Sequence, residues 1–493
     1  MRALGLRTFC IGILFCVASV VASSAQTFTS LASFDGGPDG AQPWYLTVTQ
    51  GADGNFYGET LFGGNDTSSC SAGCGTVFKV TPSGTLTGIY SFCALANCAD
   101  GSRPSGLILG TNGNFYGATG DGGAHSSGTV FKITPAGTLT TLYNFCSQTD
   151  CTDGAGGNGL VQGSDGNFYG TTSGGGANNH GTLFKITPAG KLTTLYSFCS
   201  QTNCDDGFEP AAGLTQGSDG NLYGITGFGG AHNGGTIYKI TPEGQFTTLY
   251  AFCSQKDCSD GENSVAGLVQ AANGNFYGTT QVGGIKTSCR PYGCGTIFEL
   301  TPSGQFTTLY SFCSETACID GTRPTSGLTL GNDGNLYGVT PGGGERGVIF
   351  EITPAGDYSV LHHFCREAGC TDGVSPLAGV IQSTNGLFYG TTNYGGNSSS
   401  CTSCGTVYGL STGLSPFVSA LPAAGKAGRV VGIVGNNLTG ATSVTFNGTP
   451  ATFTVVSGTV IKATVPAGAT TGTIQVTTPS GTLNSNVAFV VLP

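Results

Sequence analysis

Between residues 159 and 198 the chain reads GLVQGSDG, NFYGTTSGGGANNH, GTLFKITPAG and KLTTLYSF: four short runs of alternating apolar and polar positions, separated by glycine-rich turns. Alternation with a period of two marks half-buried strands, and no stretch of the unit carries a helical period. Asp165-Gly166 suits a tight hairpin between the first two strands, because glycine tolerates positive φ. Pro188-Ala189-Gly190 closes the third strand, where proline gives up a ladder donor at no cost. The unit predicts a small antiparallel sheet.

The pattern recurs. Asn-Phe-Tyr-Gly or a close variant places tyrosines at 57, 116, 169, 223, 277, 337 and 389, a period of 52–60 residues. A linear stack and a closed ring both satisfy such a period, and the two ends of the chain separate them. The third-strand motif ends its series with GTVYGL at 405–410, with no fourth strand after it. A surplus fourth-strand motif, TFTSLASF at 27–34, precedes the first complete unit. The expected fold is therefore all-β: a seven-bladed β-propeller over 26–410, closed by its N-terminal strand so that sheet edges are hidden. After a short joint at 411–422, which is linker and start of the next domain, residues 415–493 lose the repeat. They alternate around an Asn447-Gly448 turn, as a small β-sandwich would.

Composition changes this picture in three ways. Eighty-six glycines alone would suggest disorder, but 29 Phe and 18 Tyr supply sheet cores. A formal charge of −10, with no basic stripe, excludes a phosphate-tracking nucleic-acid binder. Residues 1–25 read as a secretion signal: Arg2 and Arg7, then IGILFCVASVV, then Ser23-Ser24-Ala25 as a small-residue cleavage site. No second long apolar run follows, so no integral membrane segment is expected in the mature chain, which is placed as secreted or extracytoplasmic and open to cell-surface association.

Eighteen cysteines outside that signal fall into nine local pairs: Cys70/Cys74, Cys93/Cys98, Cys146/Cys151, Cys199/Cys204, Cys253/Cys258, Cys289/Cys294, Cys313/Cys318, Cys365/Cys370 and Cys401/Cys404. In an exported chain an even count at local spacing points to structural disulfides. Zinc would need four ligands gathered at one point, and most pairs have no histidine beside them. All the cysteines fall in the longer loops, on one face of the expected ring. The pairs inserted in units one, five and seven break its symmetry and mark the side where asymmetric recognition is expected.

Candidate ligand-binding residues lie on that face. His125, His180 and His232 occupy corresponding loops of units two to four. Glu345-Arg346 concentrates charge in unit six, and Lys286 and Arg290 flank Cys289 in unit five, where an anionic glycan would find partners. The repeated Asp100, Asp153, Asp206, Asp260, Asp320 and Asp372, with Asp39 in the loop that lacks cysteines, read first as turn caps. Calcium is the metal their oxygens would suit, but no cofactor is predicted and no metal is assigned. Trp44, the sole tryptophan, reads as core. No acid, base and nucleophile set emerges, so no catalytic residue is assigned.

The DGNFYG…GG…GTVFKITP…LTTLYSF pattern resembles the GloVer-type tandem-repeat exported proteins of bacteria over nearly all of 27–410. GNNLTGATSVTFNGTPATFTVVS and ATVPAGATTGTIQVTTPSG resemble an IPT/TIG immunoglobulin-like domain. The resemblance implies an extracellular setting rather than a reaction. Two classes stay open: a binding or adhesion scaffold for an extracellular glycan or surface protein, and a carbohydrate-active enzyme, a polysaccharide lyase or glycoside hydrolase, acting on the looped face.

Overall fold

The computed structural model describes residues 26–492, except 46, 66–68, 211–212, 285–288, 290, 399–400 and 402. The proposed signal peptide lies outside the described residues. The chain is an all-β repeat protein in which seven antiparallel sheets follow one another in a propeller-like architecture. Sheet 3 is typical, running Ala155–Gln162, Phe168–Gly174, Thr182–Ile186 and Leu192–Ser197 in spatial order. Sheet 4 adds a fifth short strand, Phe208–Pro210. In sheet 7 the order is Ile381–Gln382, Phe388–Thr392, Thr406–Ser411 and then Thr27–Ser33. The first strand of the chain thus pairs antiparallel with the last strand of the repeat, from Thr27 opposite Ser411 to Ser33 opposite Thr406.

Two repeated contacts hold neighbouring sheets together. Where a phenylalanine opens the next sheet's second strand, the tyrosine of one sheet packs face to face or tilted against it: Tyr57 on Phe115 at 4.2 Å, Tyr116 on Phe168 at 4.1 Å, Tyr223 on Phe276 at 4.0 Å and Tyr337 on Phe388 at 4.1 Å. Tyr389 of sheet 7 makes the same contact with Phe56 of sheet 1, at 3.9 Å. A glutamine ending the first strand takes a backbone N–H from the previous sheet's turn: Thr111 to Gln162, Ser164 to Gln216, Ser218 to Gln270, Asn332 to Gln382 and Thr384 to Gln50, all at 2.8–3.0 Å. The first strands lie innermost, where glycines allow sheets to meet backbone to backbone. A methyl group on Gly106 would lie 3.3 Å from Gly159 Cα, and one on Gly213 would lie 3.4 Å from Gly267 Cα.

The C-terminal segment forms two four-stranded sheets and a short parallel pair around one apolar core that includes Val431, Ile433, Val444, Phe446, Ile461, Ile474, Val476 and Phe489. Ser419–Leu421 is already one of its strands, so the second part of the 411–422 joint belongs to this segment. The segment lies against the short turns of the repeat. Thr459 Oγ1 donates to Ala52 O at 2.6 Å, an Arg429 N–H to Ser164 O at 2.6 Å, Asn436 Nδ2 to Thr384 Oγ1 at 2.7 Å, and Asn332 Nδ2 to Ser415 O at 2.7 Å. These partners belong to sheets 1, 3, 7 and 6, so the segment spans the short-turn end. The disulfide loops are left on the opposite face.

Candidate functional site on the loop face

All nine expected cysteine pairs are bonded. Their setting needs a correction. The sequence reads as plain loops there, but in six pairs the second cysteine ends a one-turn 3-10 helix: Ala96–Cys98, Thr149–Cys151, Thr202–Cys204, Lys256–Cys258, Thr316–Cys318 and Ala368–Cys370. Three residues are too few to show a hydrophobic period, so no sequence pattern announces such a turn. Cys98, Cys151, Cys204, Cys258, Cys318 and Cys370 are all left-handed, with φ between 52° and 57°. Each donates its N–H three residues back, as Cys98 does to Leu95 O and Cys318 to Glu315 O, both at 3.0 Å. Cys258 is buried, whereas Cys98, Cys151, Cys204, Cys318 and Cys370 are half-buried; Cys93 and Cys313 are buried in apolar cores, so these bonds tie the loop surface to the sheets beneath it.

After these six pairs comes a buried aspartate, and in four of the six both carboxylate oxygens serve its own turn. Asp153 Oδ2 accepts from the Tyr143 hydroxyl at 2.7 Å and the Ser147 N–H at 2.9 Å, while Oδ1 accepts from the Gln148 N–H at 3.1 Å. Asp100, Asp206 and Asp260 repeat this triad. Burial, then the hydrogen bond to Asp153, pushes the Tyr143 phenol up to about 12, so it remains a donor. In those four the oxygens are committed to turn geometry, which leaves little for a shared calcium; Asp320 keeps the Tyr310 and Ser314 contacts through Oδ2, while its Oδ1 has no partner among the described residues.

Two sheets break the pattern. At the sheet 7–sheet 1 junction Ala32 stands where the tyrosine would be. There Asp39 accepts the Asp35 N–H, at 3.2–3.3 Å, and burial followed by the Asp35 carboxyl raises it to about 7. In sheet 6 the tyrosine is replaced by His362. Its Nε2 lies 3.4 Å from Asp372 Oδ2, and its ring stacks on Phe28 of the strand Thr27–Ser33 at 3.8 Å. Burial lowers the His362 pKa; Asp372 opposes the shift, whereas His363 and Arg366 add to it. Below the ordinary histidine range the unfolded chain therefore binds a proton that the folded chain resists, so stability falls as pH drops through that range. His362→Tyr should remove this acid-side loss, seen as a smaller fall in Tm between pH 7 and pH 5 than in wild type.

Directly after each aspartate turn the chain reaches seven equivalent positions: Gln42, Arg103, Gly156, Glu209, Asn263, Arg323 and Ser375. All seven are left-handed, with φ between 51° and 70°. Each donates its N–H to a carbonyl of the preceding sheet: Cys404, Cys74, Ser127, His180, Gly234, Cys294 and Arg346 respectively, at 2.7–3.2 Å. Left-handed backbone costs an L-residue roughly 1–2 kcal/mol. Six of the seven positions nonetheless carry side chains, which differ from sheet to sheet. Arg103, Glu209 and Arg323 are exposed, and Arg103 pairs with Asp121 at 3.1 Å. The three inserted disulfides of sheets 1, 5 and 7 supply the carbonyls that fix Arg103, Arg323 and Gln42.

The residues expected from sequence surround this rim unevenly. His180 and Arg346 contribute carbonyls to it; Glu345 is exposed at φ 79°. His125 and His232 are exposed at one repeat position, while His180 sits two positions later. The only described metal-type ligand atoms grouped with His180 are the sulphurs of Cys199 and Cys204, which are bonded to each other. Lys286 and Arg290 lie outside the described residues. Trp44 is a correction: it precedes the first strand, is only half-buried, and its indole N–H has no partner among the described residues.

One buried acid went unnoticed in the sequence. Glu59, in Phe56–Thr60 of sheet 1, is 1 % exposed; Oε2 accepts the Gly106 N–H at 2.8 Å, and Oε1 has no partner among the described residues. Burial raises its pKa to about 8, against the hydrogen bond from Gly106, so the group is a neutral acid at neutral pH. The other sheets place Ala118, Thr171, Ile225, Thr279, Val339 and Thr391 there.

The Gloeobacter/Verrucomicrobia repeat description matches residues 11–216, 147–317, 200–408 and 255–456. The chain belongs to this repeat family. Among solved structures, virginiamycin B lyase from Staphylococcus aureus is similar at 15% identity and TM-score 0.50, covering 78% of this chain and 99% of its own. A fungal alcohol oxidase of the AA5 family, in complex with copper, is similar at 14% identity and TM-score 0.52, covering 94% and 99%. At such identities the likeness is one of fold alone. No curated protein matches the chain. Among the described residues no helix is long and apolar enough to cross a membrane. Membership of the family therefore fixes the repeat, and the site has to be argued from the loop face.

Proposed function

We propose that this member of the family is an extracytoplasmic, noncatalytic binding scaffold: a seven-bladed propeller over 26–410, closed by Thr27–Ser33, with an immunoglobulin-like module of the IPT/TIG kind at 415–493. Pairing of Thr27–Ser33 with Thr406–Ser411, together with the Tyr389–Phe56 stack, supports closure. Nine disulfides support an oxidising compartment. The module covers the short-turn end, so ligand meets the loop face. One observation carries the reading: seven backbone positions are held alike while their side chains vary, as a rigid display of recognition groups requires.

The test is saturable association with extracellular glycans and surface proteins, measured for wild type and for Arg103/Glu209/Arg323 changed together to alanine, with mass spectrometry of any products. Association lost in the triple variant, without product, is expected. Association untouched by the triple variant overturns the reading. So does turnover abolished by Glu59→Gln, which would favour a carbohydrate-active enzyme using Glu59 as its neutral acid.

A further inference from the structure

Sheet 4 differs from the other six where it meets the rim. Its extra strand Phe208–Pro210 pairs with the end of Leu222–Phe228, with Phe208 opposite Phe228. The two rings stack at 5.7 Å with 21° between their planes, and the His180 ring lies 5.0 Å from Phe208. Phe228 is 36% exposed, while Phe208 and His180 are half-buried, so the group presents an aromatic surface to solvent. The equivalent cross-strand pairs elsewhere are Ala41 with Phe62, Ser102 with Asp121, Ala155 with Gly174, Glu262 with Val282, Thr322 with Gly342 and Val374 with Tyr394. Only sheet 4 doubles the aromatic.

Beside this surface stands Glu209. Its side chain is exposed, its backbone is left-handed at φ 51°, and its N–H is tied to the carbonyl of His180 at 3.2 Å. The same residue that supplies the imidazole therefore anchors the backbone that carries the carboxylate. An aromatic surface with a hydrogen-bonding carboxylate at its border matches a pyranose ring, which has an apolar face and equatorial hydroxyls. An anionic sugar would meet repulsion from Glu209 on a chain already at −10.

Further round the same circle, sheets 7 and 1 carry Tyr394, 37% exposed, and Tyr45, 49% exposed and left-handed at φ 57°. Tyr45 belongs to a lead-in one residue longer than those of sheets 4–7, and Trp44 lies 5.7 Å from its ring. Two separated aromatic groups on one mouth suit a chain of sugars better than a single one.

Resting on the binding reading above, we propose that the loop face binds a neutral oligosaccharide, with one sugar on Phe208 and Phe228, its hydroxyls on Glu209, and a further sugar at Tyr45. The sole tryptophan, Trp44, reports the far end by its fluorescence. Full-length mature protein would be titrated with cellohexaose, mannohexaose, xylohexaose and chitohexaose, and with a polygalacturonate fragment as the anionic arm. The expected result is saturable binding of at least one neutral hexasaccharide with a change in Trp44 emission. Affinity should fall at least tenfold in Phe228→Ala, in Phe208→Leu and in Glu209→Gln, and change less than twofold in Glu243→Gln on the short-turn face. Variants are compared only where their melting matches wild type, and Phe208→Leu keeps apolar volume if Phe228→Ala does not fold. Absence of any neutral ligand, or preference for the polygalacturonate, overturns the ligand class. Neutral-sugar binding unchanged by these substitutions overturns the placement while leaving a binding scaffold intact. Binding that disappears only in the Arg103/Glu209/Arg323 triple variant likewise counts against the aromatic surface and for the wider rim.

Discussion

Glu59→Gln is expected to stabilise the protein at pH 9 by on the order of 3–5 kcal/mol while leaving it little changed at pH 4. The ordinary glutamate range lies near 4.5, whereas burial holds the folded group at about 8. Below 4.5 both states are protonated and the acid contributes no pH dependence. Between 4.5 and 8 the unfolded chain loses a proton that the folded chain retains, so wild-type stability declines as pH rises. Above 8 the deficit is complete. Glutamine keeps an oxygen for the Gly106 N–H and removes the ionisation. Melting temperatures of both proteins from pH 4 to 9 check this: the variant's advantage should appear above pH 5 and level off near pH 9. Equal alkaline slopes would show that Glu59 ionises freely in the folded state.

The second large effect concerns closure of sheet 7. Phe34 follows the strand Thr27–Ser33, is fully buried, and meets Phe78 of sheet 1 edge-on at 5.0 Å. Phe34→Ala should cost about 3–5 kcal/mol through lost burial and the cavity left behind. Because the residue belongs to a core shared with Phe56, Tyr389 and Val407, the loss should loosen two sheets together. Limited proteolysis should then cut first within sheet 7, and the melting transition should move down and broaden. A variant that melts with wild type and resists protease at Thr406–Ser411 would show that the pairing of Thr27–Ser33 contributes little.

Much of this architecture was legible in the sequence because it repeats. Strand alternation, Asp-Gly turns and the displaced TFTSLASF motif lead to the observed sheets and to the pairing at Ser411. Asp and Asn alternate at the small turns because either can serve the same tyrosine: Asp165 accepts the Tyr169 hydroxyl at 2.9 Å, and Asn112 donates to Tyr116 at 2.9 Å. The cysteine spacing gave the pairing, but the one-turn helices ending at Cys98, Cys151, Cys318 and Cys370 are shorter than any period that could betray them. The rim escaped because it is defined by backbone conformation and by N–H groups reaching the preceding sheet, which side-chain identity does not reveal. Residues as unlike as Gln42, Arg103 and Ser375 fill one geometric role. Glu59 had a readable signal, a lone acid in a column of Ala, Thr, Ile and Val. Docking of Arg429 and Thr459 on the short turns had none, since neither belongs to a periodic pattern. Of the three loop histidines, His125 and His232 share a repeat position, whereas His180 stands two residues later, beside Phe208.

The pairing of Thr27 with Ser411 also sets an order of events during biosynthesis. The strand synthesised first is the one seated last, since its partner emerges nearly four hundred residues later. Until then a seven-residue stretch without charge has to stay unpaired through translation. Sheets 1 to 6 hold all their own strands and can form locally, but the final junction waits for a long-range encounter, the slowest kind of contact to make. Premature pairing of that stretch with another chain's open edge is the natural hazard, and a delay in folding until the whole polypeptide is available is the natural protection.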